Sequence, residues 1–206
     1  MKLIFLGALL TLLSACGAAQ NDPILSTIQG TAQRLVSPPA PKPSLEAQRA
    51  AVLRDIAAAQ NSDPILLIEL PKQEAVASLV NAGENRGAIT WIDPSGVSVV
   101  TRGGIVISTR GLGNDLMAAD VSGTQRALQG GVKTYKRLHR YLDGEAQLDR
   151  SVFACTADKA GATMTETCAG VPGRFTNTYH FRHGVLSQSK QWLGPNIGFA
   201  RIEYLN

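Results

Sequence analysis

From residue 174 to 182 the side chains alternate without a break. Phe175, Asn177, Tyr179 and Phe181 fall on one face, and Arg174, Thr176, Thr178, His180 and Arg182 on the other. A period of two is that of a strand, so one face of this segment is expected to be buried. His183-Gly184 then turns the chain into a strand over 185–193, Gly194-Pro195 interrupts it, and 197–205 forms a last strand. Upstream, 97–102 and 105–110 flank Gly103-Gly104, a pair suited to the positive φ angles of a two-residue hairpin turn. The segment 89–92 leads into Asp93-Pro94-Ser95-Gly96, which has the residue order of a type I turn. Residues 65–70 are an apolar run of strand length between two prolines, as a buried strand requires. The segments 135–142 and 145–155 pair about Asp143-Gly144. The alanines of 74–81 fit helix and strand alike. Helical spacing is clear only after Ser44, a capping residue, where Leu45, Val52, Ile56 and Ala59 share a face opposite Arg54 and residues 61–64 stop the helix. Many strands joined by tight turns after a single helix predict a mainly β body, an antiparallel barrel or sandwich.

The first residues follow a different plan. Lys2 precedes an apolar stretch over 3–13, and the small residues Ser14 and Ala15 stand immediately before Cys16. These are the three parts of a secretory signal. The stretch is well short of the roughly 20 residues that span a bilayer as a helix. Leu13-Ser14-Ala15-Cys16 has the form of a lipobox, so residues 1–15 are read as a cleaved signal and Cys16 as the site of lipid attachment. The alternative is an ordinary secretory signal with a chance cysteine. Several acyl chains at about 0.8 kcal/mol per buried methylene give a durable anchor. Gly17 stands where an aspartate would favour inner-membrane retention in enteric bacteria, so the expected place is the outer membrane, facing the periplasm. Residues 16–43 end in Ser37-Pro38-Pro39-Ala40-Pro41-Lys42-Pro43 and read as an extended tether, leaving 44–206 as one folded domain.

Composition adds little beyond this. The formal charge of +4 falls to about +3 once Lys2 is removed, which is ordinary solubilising charge or a mild preference for anionic partners. Export puts nucleic acid out of reach. Cys155 and Cys168, in a segment bound for an oxidising compartment, read as a disulfide. The alternative, a thiol pair on a metal, lacks the short spacing and histidine partners of zinc sites.

Candidate chemistry is thin. His139, His180 and His183 have no metal-ligand spacing, and the G-x-S-x-G elbow of many serine hydrolases is absent. Asp143, Glu145 and Glu166 offer carboxylates for a glycosidase pair, although turn geometry already accounts for Asp143. Gly111-Leu112-Gly113 lacks the lysine and hydroxyl of a phosphate-binding loop and reads as a turn. Tyr135, Arg137, His139 and Tyr141 line one face of a strand, where rings and cations would suit an anionic polysaccharide; the alternative is a half-exposed strand with snorkelling arginine. Trp192 is a sugar platform or a core plug on the same reasoning. No metal or other cofactor is expected.

Several stretches together carry a family resemblance: the lipobox, Arg110-Gly111-Leu112-Gly113-Asn114-Asp115-Leu116-Met117, Tyr141-Leu142-Asp143-Gly144-Glu145, Glu166-Thr167-Cys168, Phe175-Thr176-Asn177-Thr178-Tyr179 and Gln191-Trp192-Leu193-Gly194-Pro195. In order and spacing the chain resembles the YjbF/GfcB lipoproteins. The resemblance implies a mainly β, barrel-like fold and a role in capsule or exopolysaccharide production or export. Outer-membrane β-barrel and periplasmic proteins of that process are the implied partners, and it supplies no catalytic residues. The expected function is therefore a non-catalytic accessory lipoprotein, with a periplasmic polysaccharide-binding or polysaccharide-modifying protein as the alternative.

Overall fold

The computed structural model describes residues 41–60, 63–142 and 147–205. Cys16, the signal and the tether as far as residue 40 lie outside them, as do Asp143, Gly144 and Glu145. Helix α1, Leu45–Ala59, begins where Ser44 Oγ accepts the Ala47 N–H at 3.2 Å and ends at Gln60, which takes a left-handed conformation. Gln48 ties the helix to the sheet, donating to Glu74 O at 3.0 Å and accepting from Val76 N at 3.3 Å. An Arg49–Glu203 ion pair adds to the attachment.

Twelve strands follow: β1 Ile65–Leu70, β2 Ala75–Asn85, β3 Ala88–Ile92, β4 Ser98–Arg102, β5 Ile105–Arg110, β6 Leu116–Asp120, β7 Thr134–Leu142, β8 Leu148–Ala160, β9 Thr163–Gly170, β10 Gly173–Arg182, β11 Val185–Gly194 and β12 Gly198–Leu205. A second helix, α2, Ser122–Leu128, lies between β6 and β7. The strands form one antiparallel sheet in the order β5-β4-β3-β2-β1-β12-β11-β10-β9-β8-β7-β6. The first and last strands of this order, β5 and β6, approach each other without a ladder, so the sheet is a nearly closed barrel. Side chains clamp the seam: Leu116 N–H donates to Thr109 Oγ1 at 3.0 Å, and that hydroxyl donates to Asp115 Oδ1 at 2.8 Å. Every strand, both helices and the three apolar clusters lie within Pro43–Asn206, a unit compact in itself.

The hairpin about Gly103-Gly104 forms as expected, with φ angles of 56° and 79°. The Asp93 turn closes through Gly96 N to Asp93 O at 3.1 Å. The ambiguous segment after residue 74 is strand β2, and β7 pairs with β8. The expected short N-terminal helix is α1, and the structure adds a second helix, α2, that the sequence pattern does not announce. It has seven residues, too few to show a period, and no side-chain cap marks its start. Strands β6 and β9 also escape a pattern reading. In β9 the inward residues are Met164, Glu166 and Cys168, and a carboxylate on the inner face hides the alternation.

Candidate functional site

The interior of the barrel is divided by chemistry. Around β1 to β4 and β12 it is aliphatic and aromatic, with Leu66, Ile68, Leu79, Trp91, Val99 and Ile202 in contact. Around β7 to β10 a buried polar and charged network runs among apolar residues such as Phe153, Met164 and Phe175. Tyr135, Arg137, His139 and Tyr141 do share one face of β7, as their spacing predicts, and that face points into the barrel. Arg137, His139 and Tyr141 are buried, and Tyr135 is half-buried. The expected contact of these four with a glycan would need a solvent-facing row, and the structure places them inward instead. The reason is that β9 and β10 supply them with buried partners.

Glu166 is the centre of that arrangement. Its Oε2 accepts from Arg137 Nη1 at 2.7 Å, Asn177 Nδ2 at 2.7 Å and the Tyr179 hydroxyl at 2.9 Å. Its Oε1 accepts from Thr124 of α2 at 2.6 Å and from the Tyr135 hydroxyl at 2.7 Å. Burial alone would raise the carboxyl pKa, but the Arg137 charge and hydrogen bonds from Thr124, Asn177 and Tyr135 outweigh it, and the net shift is downward. Glu166 is therefore ionised at neutral pH. Burial, reinforced by the adjacent carboxylate, pushes the Tyr135 and Tyr179 phenols well up, so they stay protonated and donate. Arg137 stays charged because the Glu166 carboxylate outweighs the cost of its burial.

The network continues toward the other end of the barrel. Arg137 Nε donates to His139 Nε2 at 2.8 Å, and His139 Nδ1 lies 2.5 Å from the Tyr141 hydroxyl. A guanidinium nitrogen only donates, so His139 Nε2 must carry the lone pair and Nδ1 the proton. Burial, with Arg137 beside it, holds the His139 pKa well below its usual value, and the ring is neutral. Protonating Nε2 would set two N–H groups against each other. The ring is enclosed by Phe153, Phe175 and Trp192, the last stacked at 5.8 Å. Trp192 also stacks on Phe175 at 4.4 Å, and its backbone N–H donates to Asn177 Oδ1 at 2.7 Å. It is placed as a core plug, not as an outward sugar platform.

Cys155 and Cys168 sit directly opposite each other on β8 and β9 and are joined by a disulfide. Their sulfurs lie close to Glu166, but a bonded pair lacks the thiolates a metal site would need. Asp143 and Glu145 lie outside the described residues, and Glu166 has its oxygens occupied by five donors. Gln191, across the barrel, satisfies the curled edge of β5: its Oε1 accepts from Val106 N and its Nε2 donates to Gly104 O, both at 2.9 Å. Asn177, Tyr179, Thr124 and Gln191 were not singled out from the sequence. The available signal was Asn177 and Tyr179 lying on the inward side of a clean alternation.

Comparison with known proteins agrees with this architecture. The family model for the group 4 capsule polysaccharide lipoprotein GfcB, YjbF, matches residues 40–205. The chain belongs to this family. A solved structure of the hypothetical lipoprotein YmcC from Escherichia coli (K12) superposes with a TM-score of 0.62 at 17% identity, covering 81% of this chain and 97% of that one. At that identity the likeness shows the fold. No curated protein matches the chain significantly. In this YjbF-family barrel, the stretches that carried the resemblance contribute the buried polar groups: Asp115 at the seam, Tyr141 and Glu166 in the network, Asn177 and Tyr179 beside it, and Gln191 against β5.

Proposed function

We propose that the protein is a non-catalytic accessory lipoprotein of capsule polysaccharide production, anchored through lipid on Cys16 to the outer membrane and facing the periplasm. It acts by docking onto the outer-membrane barrel and periplasmic proteins that export the polymer. The family supports the process, and the lipobox and Gly17 support the location. The observation that supports a non-catalytic role most is Glu166. A general acid or base needs a lone pair or proton within reach of substrate. This buried carboxylate has its oxygens committed to five internal donors.

Deletion of the gene, followed by crosslinking pull-down with the reintroduced lipoprotein, tests the reading. Loss of secreted polymer together with capture of an outer-membrane barrel protein is expected. Normal polymer export in the deletion strain, or new reducing ends when the protein is incubated with purified polymer, would contradict it.

A second reading, direct contact with an acidic glycan, has one specific observation in its favour. On the outer face of the barrel Arg140 of β7 stands directly across from Arg150 of β8, both exposed and neither in an ion pair among the described residues. Like charges paired across strands are unfavourable unless an anion lies over them. Binding of the purified polymer that weakens in Arg140→Ser/Arg150→Ser would support contact on this outer face, in place of the inward Arg137 and His139.

A further inference from the structure

At the end of the barrel where β4 turns into β5 and β10 into β11 there is a cleft of about 590 Å³, within the range of small-molecule sites. Ile89, Trp91, Leu186 and Tyr204 form its walls, Val185 stands at the edge, and Arg182 and His183 line it from the β10–β11 turn. Its apolar character has a local cause. Trp91 Nε1 donates to the buried Thr101 hydroxyl at 2.9 Å, and the Tyr204 hydroxyl donates to Gly104 O at 3.2 Å. The polar atoms of both aromatics are thus turned into the wall, leaving hydrocarbon toward the cleft. Burial keeps the Tyr204 phenol neutral, its pKa pushed up to about 12 against the opposing hydrogen bond with Thr101.

The backbone shapes the opening. Gly104 takes a left-handed φ of 79°, which favours glycine, and a Cβ there would come within 2.3 Å of Leu186 Cδ2 and push that side chain into the cleft region. Val185 is 66% exposed, and Arg182 and His183 are exposed without ion pairs among the described residues. Sugar recognition by stacking needs an accessible ring face, and Trp91 is only 3% exposed. An apolar cavity with the Arg182 guanidinium and the His183 imidazole at one edge has the complementarity of a hydrocarbon chain that ends in an anion.

We propose that this cleft binds one long-chain amphiphile with an anionic head, the chain against Ile89, Leu186 and Tyr204 and the head at Arg182 and His183. The site lies apart from the buried network and does not depend on the accessory role argued above.

The test uses residues 43–206, the compact unit that holds every element of the described residues, and cis-parinaric acid as the probe, followed by its own fluorescence. Saturable binding of one molecule per chain is expected. Arg182→Glu should weaken it at least about tenfold, and parinaric methyl ester should bind more weakly to the unaltered protein and ignore that substitution. Ile89→Trp, which fills the cleft, should weaken acid and ester alike. Thermal melts establish that each variant folds, and exposed Arg182 keeps the test decisive if Ile89→Trp does not. Absence of saturable binding, binding unchanged in Arg182→Glu, or association with phosphatidylglycerol vesicles without uptake of the monomeric acid would overturn the proposal.

Discussion

The two sides of this barrel solve the same problem with different chemistry. Around β1 to β4 and β12 the interior is filled by Leu66, Ile68, Leu79 and Val99, whose packing is non-directional and tolerates small adjustments. Around β7 to β10 an ion pair, three buried phenols or amides and a neutral histidine are set among Phe153, Met164 and Phe175, and each polar group needs its partner in one place. Burial of apolar side chains, on both sides of the barrel, supplies the main driving force for folding. The polar side contributes geometric specificity, since a slipped β9 register would strand Glu166 or Arg137 without a counter-charge.

The largest expected effect breaks the polar side at its centre. Glu166→Ala leaves the Arg137 guanidinium buried and unpaired, which should destabilise the fold by about 3–5 kcal/mol in denaturant unfolding. Adding Arg137→Met should recover a large part of that loss, because the stranded cation goes with it. On the apolar side Leu79→Ala should cost about 2–5 kcal/mol, and no second substitution of an opposing charge rescues it. Equal behaviour of the two sides would remove the distinction. Somewhat smaller is the contribution of the disulfide. Its cysteines are 13 residues apart, and Cys155→Ser/Cys168→Ser should lower stability by about 3 kcal/mol.

The two sides should also differ in their response to acid. His139 has a folded pKa held well below the ordinary 6.5, so below about pH 6.5 the unfolded chain takes up a proton that the folded one refuses. Stability from this group is full above that pH and declines as pH falls. Glu166 is also depressed, from 4.5, and its contribution is lost at lower pH, as the carboxylate protonates. Both signs agree: acid weakens the polar side. In His139→Gln the fall in Tm between pH 7 and pH 5 should flatten, while the loss below about pH 4.5 persists. An unchanged slope in the upper window would show that His139 is not the titrating group.

These contrasts also explain what could be read from the sequence. Local turn chemistry announced the hairpins at Gly103-Gly104 and His183-Gly184, and period-two alternation announced β10, because those signals are complete within a few residues. The four residues of β7 were correctly placed on one face. Their burial was not legible, because a strand carrying Arg137 and His139 reads as facing water until Glu166 and Asn177 are brought opposite from β9 and β10. For the same reason β9 carries no strand signal of its own, with Glu166 on its inner face. The seam is a property of closure: Thr109 and Asp115 acquire their roles only when β5 and β6 meet.

The most direct test of a structural, rather than reacting, interior is the polymer output of cells carrying Glu166→Gln. The substitution keeps the shape and oxygen acceptor of the side chain but removes its charge. With the lipoprotein folded and matched in abundance to wild type, secreted polysaccharide should be unchanged. Polymer falling to the level of the deletion strain, with folded protein at wild-type abundance, would contradict the account.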